Sequence, residues 1–267
     1  MSAAATVILA GLAVPAAALG LMVRASLSAR GHARTAVPKS RTTTGVPEVG
    51  ALYPNAAAAR HMCTAGVVDS PGLNTLVTAA HCVSGRGAGM AFVPDEHDGR
   101  APFGRWRVTA VHLTPAWVNR QDPHDDVAFL TVAPRRIHGK LTEIQRVTGG
   151  YRLGSTAVTG EPVTVTGYPA GARNDPITCT AKIYLTHGFP SFDCRGYVGG
   201  TSGSPWLHAT AHGPEIVGVI GGLNDGGCID STSSSPVIAG HAHAVYHRAA
   251  TGVTGDIAPA PADDGCN

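Results

Sequence analysis

The sequence predicts an all-β fold. Short apolar runs recur along the chain, turn residues separate them, and Gly (34) and Pro (19) are plentiful while aromatic residues make up only 5%. Short β-rich runs bounded by Gly, Pro, Asn and Ser read as strands of a barrel or a sandwich, whereas a helical bundle needs longer stretches of 3.6-residue periodicity. Periodicity alone does not choose between barrel and sandwich.

The elements follow in order. Residues 1–23 carry no charge and are mostly apolar, as expected of a signal peptide's apolar region or a membrane anchor. Small residues at 26–29 offer a cleavage site, so 1–29 is read as signal peptide or anchor, and export follows by either route. Residues 30–48, rich in Arg, Thr, Pro and Gly, read as a linker or propeptide. CTAGVV (63–68), the turn SPGLN (70–74) and TLVTAA (75–80) read as a hairpin. RVTAVHL (107–113), DVAFLTV (126–132), PVTVTGY (162–168) and IVGVIGG (216–222) add strands, and HAHAVYHRAA (241–250) is the best helix candidate. The Pro-, Ala- and Asp-rich stretch 251–267 reads as a flexible tail.

Charge narrows the function. The whole chain carries +2, but residues 1–60 hold six basic groups against Glu48 alone, leaving 14 basic and 17 acidic groups, or −3, for 61–267. That body lacks the positive field nucleic-acid binding needs. The six Cys contain no C-x-x-C pair, which disfavours a zinc knuckle or thioredoxin-like site. Behind an export signal, disulfides are the favoured reading. His243 and His247 are four apart on the candidate helix, with His241 beside them, yet no acid or Cys cluster accompanies them. They read as a surface histidine face, and neither metal nor cofactor is expected.

Three segments carry chemistry: TAAHC (78–82), HDDVAFL (124–130) and GGTSGSPW (199–206). A serine hydroxyl is a weak nucleophile that needs a base beside it and donors for the oxyanion it creates. Ser202 sits in a Gly-rich turn that can aim successive backbone N–H groups at one point, with Gly200 and Ser202 as the expected oxyanion pair. His81 ends an apolar strand, a rigid mount for a base. Asp126 abuts the apolar run VAFL, where a buried carboxylate could accept the imidazole Nδ1–H. Asp125 adjoins it, and strand alternation is expected to turn the two opposite ways.

TAAHC, DVAFL and GTSGSP, in that order, resemble the chymotrypsin-fold serine peptidases. The serine motif lacks a preceding Asp and so is similar to the secreted bacterial branch, closest to trypsin-like proteases of actinobacteria. The resemblance spans about 49–250. It implies two antiparallel six-stranded β-barrels with a C-terminal helix: barrel 1 at about 49–145, holding His81 and Asp126, and barrel 2 at about 146–250, holding Ser202. It further implies a secreted, monomeric, metal-independent endopeptidase acting on polypeptides, which meets a membrane only transiently through its N-terminal segment. The triad roles are those of the general serine-protease scheme. A Cys63–Cys82 bridge is implied, Cys179–Cys194 is expected to bridge a second hairpin, and Cys228–Cys266 follows by elimination.

Departures from the family pattern bear on control and specificity. Thr201 replaces the Asp that pairs with a newly cut N-terminus in animal enzymes, so no such switch is expected. The position that carries a carboxylate in trypsin-like enzymes is Gly196, and the glutamate-recognising His position is Ile220. Gly221 and Gly222 are expected to open the pocket mouth, and Asp225, Asp230 or Arg195 can enter from loops. An uncharged residue before the scissile bond is the expected preference. Two other readings remain at this point. One is a catalytically silent protease-like binding protein. The other is an esterase, although the G-x-S-x-G pattern fails at Ser204.

Overall fold

The computed structural model describes residues 36–171 and 175–266. The segment expected to be a signal peptide or anchor, 1–29, lies outside the described residues. Among the described residues no helix is long and apolar enough to cross a membrane.

The chain enters through a short strand, β1 (Arg41–Thr42). The first lobe then follows with β2 (Val49–Tyr53), β3 (Cys63–Val68), β4 (Thr75–Thr78), β5 (Ala91–Pro94), β6 (Trp106–His112), helix α1 (Pro115–Arg120) and β7 (Ala128–Val132). Its six strands close into an antiparallel barrel in the order β2-β3-β4-β7-β6-β5. All but β6 are buried on both faces and read as largely apolar runs, whereas β6 alternates buried and exposed residues. Leu76 and Leu130 point into the barrel core. Their neighbours Val77 and Phe129 pack outward against a second cluster.

A connecting stretch carries β8 (Arg135–Ile137), β9 (Lys140–Thr142) and the single-turn α2 (Gln145–Thr148). The second lobe contains β10 (Arg152–Leu153), β11 (Pro162–Gly167), β12 (Ile177–Lys182), β13 (Tyr184–Thr186), β14 (Phe189–Asp193), β15 (Pro205–Thr210), β16 (Gly213–Val219) and β17 (Thr232–Ser234). Six strands hydrogen-bond in the order β1-β12-β11-β15-β16-β10, and β13-β14-β17 form a second sheet. Both sheets contribute to one core, in which Val165, Phe192 and Trp206 meet. Pairing is antiparallel except for β10, which runs parallel to β16.

Helix α3 (Gly240–Ala250) buries Ala242, Val245 and Ala249, a three-then-four spacing that puts them on one stripe. That stripe packs with Val77 and Phe129 of the first lobe and Ile216 and Val219 of the second. At roughly 25 cal/mol per Å² of apolar surface, this shared cluster makes separating the lobes costly.

Two stretches that composition marks as linker or propeptide (30–48) and as tail (251–267) contain residues that pair with the rest of the fold. Pro38 O accepts from Arg195 N–H, Ser40 N–H donates to Arg195 O, and β1 pairs with β12. Backbone groups alone make this strand, so its polar side chains leave no periodic trace. The stretch from 251 also has anchors. Asp256 pairs with Arg248, Ala258 is buried and bridges to Gly85, and Cys266 is bonded to Cys228. These anchors are isolated groups spaced along polar sequence, which a composition average hides.

Candidate active site

His81 lies in a 3-10 turn, Ala80–Cys82, directly after β4. Cys82 is bonded to Cys63 at the start of β3, so the turn is braced at its base. The other bridges are Cys179–Cys194 and Cys228–Cys266.

Asp126 caps the short turn Pro123–Asp125 just before β7 and is fully buried. Its Oδ2 accepts from His81 Nδ1 at 2.8 Å and from Gly222 N–H at 2.7 Å, while Oδ1 accepts from His81 N–H at 2.9 Å. A buried carboxylate left without donors would cost several kcal/mol, and here three offset that cost. Asp125 faces away, toward His241 on α3 at 3.7 Å. Neither aspartate is in a strand, so the turn's geometry, rather than strand alternation, separates them.

Gly221 and Gly222 both meet this carboxylate. A Cβ on Gly221 would lie 2.8 Å from Asp126 Oδ2. Gly222, at φ +81°, turns its N–H onto the same oxygen. Neither role was visible in the sequence, since two glycines after a strand suit a turn of any kind.

Ser202 sits in a turn stitched by its own backbone. Thr201 N–H donates to Val198 O, and Ser204 N–H donates to Thr201 O. Gly200 adopts φ +94° and Gly203 φ +81°, which residues with a Cβ rarely do. Among the described residues, the N–H groups of Gly200 and Ser202 donate to no other group. Thr201 is buried, and its hydroxyl donates to Val198 O at 2.7 Å.

Thr64 of β3 ties this turn to the first lobe. Its N–H donates to Ser202 O at 2.8 Å and its hydroxyl to Gly200 O at 3.0 Å, while the hydroxyl accepts from Tyr168 N–H at 2.9 Å. The only sequence signal was a lone polar residue in an apolar run, which strands carry for many reasons.

His81 and Ser202 line one cavity of about 590 Å³, together with Gly200, Tyr197, Ile220 and Asp225. Asp230 also lines it and is exposed, whereas Gly196 and Arg195 do not line it. Burial pushes the His81 imidazole down. The charge of Asp126, its hydrogen bond and the charge of Asp225 outweigh burial and hold His81 above the ordinary histidine value. Asp225 Oδ1 is 3.8 Å from His81 Nδ1.

The helix histidines take other partners: His243 Nε2 meets Gly154 O at 3.0 Å, and His241 is largely exposed beside Asp125. Among the described residues, His81, Asp126 and Asp225 converge closely enough to hold a cation, as do Cys63, His81 and Cys82. The cysteines of the second group are already bonded to one another.

The family model for the trypsin-like peptidase domain matches residues 63–219, which include His81, Asp126 and Ser202. No curated protein sequence matches the chain. Among solved structures, the chain is similar to the protease Anisep from Arthrobacter nicotinovorans, with 23% identity over 79% of this chain and 99% of that one and a TM-score of 0.67. It is also similar to the thermostable serine protease AL20 from an extremophilic microorganism, with 22% identity, 78% and 99% coverage and a TM-score of 0.64. A Glu endopeptidase solved with MPD aligns at 16% identity over 80% of this chain and 97% of that one, with a TM-score of 0.60. At these identities the likeness establishes the shared chymotrypsin fold.

Proposed function

The chain belongs to the trypsin-like peptidase family, and on that premise we propose that it is an exported serine endopeptidase whose nucleophile is Ser202. The observation that carries the reading is the Asp126–His81 contact of 2.8 Å in a cavity that Ser202 also lines. His81 accepts the Ser202 proton as the hydroxyl attacks the scissile carbonyl, forming the Ser202 Oγ–carbon bond. Asp126 holds the Nδ1–H tautomer and stabilises the imidazolium. The unengaged N–H groups of Gly200 and Ser202 receive the oxyanion, each worth about 3 kcal/mol of barrier. His81 then gives its proton to the leaving amine, the C–N bond breaks, and water hydrolyses the acyl-enzyme by the same route.

Export is supported by the three disulfides, which persist in oxidising compartments. The apolar segment 1–23 serves as signal or anchor, and any membrane contact is confined to it. The protein acts as a monomer. Thr201, engaged with Val198 O, leaves no carboxylate for a new N-terminus to pair with, so activity does not depend on such an ion pair. Buried Tyr197 and Ile220 line the cavity and favour an uncharged side chain before the scissile bond.

The test is digestion of an unfolded polypeptide by the full chain, with products read by mass spectrometry. Internal cuts lost in both Ser202→Ala and His81→Ala support an endopeptidase. A folded protein that cuts nothing supports the silent binding module instead, and activity confined to ester substrates supports the esterase.

A further inference from the structure

Resting on the reading of His81 and Ser202 as the reactive pair, we infer that a second cavity beside His81 is a subsite for a cationic substrate side chain, with Asp264 as its specificity-determining residue. This cavity, about 260 Å³, is lined by His81, Trp117, Gln121, Asp225, Asp263 and Asp264, among others. At roughly 30 Å³ per water it holds about eight waters or one long side chain. His81, Asn224, Asp225 and Asp264 line both cavities, so the two adjoin. A peptide with its scissile bond at Ser202 and its backbone crossing His81 therefore presents a neighbouring side chain to the smaller one.

The wall that carries Asp264 is held in place. Gln121 Nε2 donates to Ala260 O at 3.1 Å, and Gln121 Oε1 accepts from Ala262 N–H at 3.2 Å. Asn224 Nδ2 donates to Asp264 O and Gly265 O at 3.1 and 3.0 Å. The Cys228–Cys266 bridge fixes the end. A wall this constrained needs little ordering on binding.

Its charge has one sign. Asp225, Asp263 and Asp264 line the cavity, and among the described residues no Lys or Arg lines it or the larger one. A concave site lined by one sign of charge raises the local concentration of counter-charged groups. Asp225 senses these charges. Burial raises its carboxyl, His81 lowers it, and the charges of Asp126, Asp264 and Asp263 raise it further. An ammonium or guanidinium entering here relieves that repulsion, while its aliphatic stem can lie along Trp117.

The experiment uses the full chain and peptide pairs identical except for Lys or norleucine, scanned through the positions N-terminal to the cleaved bond. An uncharged fluorophosphonate separately reports whether Ser202 reacts. At one position, kcat/KM for Lys should exceed norleucine by roughly five-fold, the scale of an exposed ion pair. The ratio should shrink in high salt, fall toward unity in Asp264→Asn and invert in Asp264→Lys. Equal rates for Lys and norleucine at every position, or a ratio unchanged in both variants, would overturn the subsite while leaving the triad intact. A wild-type chain whose Ser202 fails to label overturns the premise, and the subsite with it.

Discussion

Asp126 holds His81 at two points, accepting the backbone N–H on one oxygen and the Nδ1 proton on the other. The imidazole is thus fixed in position and in tautomer by one buried carboxylate. Asp126→Asn keeps the shape but presents an amide that can turn its NH₂ toward Nδ1 and select the wrong tautomer. A fall in kcat of about 10⁴ is expected. Steady-state kinetics on a peptide substrate checks it, and a loss under ten-fold would mean that His81 is oriented by something else.

The raised His81 value sets the acid limb of the pH profile. A base must be neutral to accept a proton, so kcat/KM should climb only as pH passes a value above the ordinary histidine value of about 6.5. Asp225→Asn removes one charge that favours the imidazolium, and the limb should move to lower pH. A limb that stays in place when Asp225 is neutralised would show that the 3.8 Å contact carries no coupling.

Much of the site was legible because its groups sit where apolar runs end. TLVTAA leads into His81, and Asp126 begins an apolar run. Glycines flank Ser202 where a tight turn needs positive φ. Strands such as β3, β4 and β7 were legible because burial on both faces produced apolar runs, and β6 and β11 because buried and exposed residues alternate. What stayed hidden depends on backbone groups and long-range approach. β1 pairs through its backbone, Gly222 offers an N–H and no side chain, and Thr64 meets a turn more than a hundred residues away. The stretch 256–266 is secured by Asp256, Ala258 and Cys266, each a single residue in unpatterned sequence.

Thr64→Val tests the link between the lobes. The substitution keeps the volume but leaves Tyr168 N–H and Gly200 O without their partner. A stability loss of about 1–3 kcal/mol is expected from denaturant unfolding, with a lower kcat because Gly200 is released. Unchanged stability and unchanged kcat would show that water replaces the hydroxyl without consequence.

Gly221→Ala places a methyl 2.8 Å from Asp126 Oδ2. The carboxylate must shift, so kcat should fall well over ten-fold while circular dichroism still reports a folded β protein. Full activity would mean that the segment 221–222 yields more readily than its packing implies.

His112 is fully buried, and among the described residues neither ring nitrogen has a hydrogen-bond partner. Burial lowers its pKa, the charge of Asp256 raises it, and the charge of Arg248 lowers it, with a net lowering. The unfolded chain therefore binds the proton first. This contribution to stability is complete above about pH 6.5 and declines as pH falls below that value toward the folded-state pKa. His81 has the opposite sign, so the comparison needs a variant: His112→Met should flatten the acid slope of unfolding free energy relative to wild type. Parallel slopes would contradict this account of His112.

The most direct test of the triad is covalent labelling of the full chain by an uncharged fluorophosphonate, with the modified residue located by peptide mapping. The account predicts modification at Ser202, abolished in Ser202→Ala and slowed by orders of magnitude in His81→Ala. Folded protein that stays unlabelled, or that labels equally fast without His81, would contradict an activated Ser202.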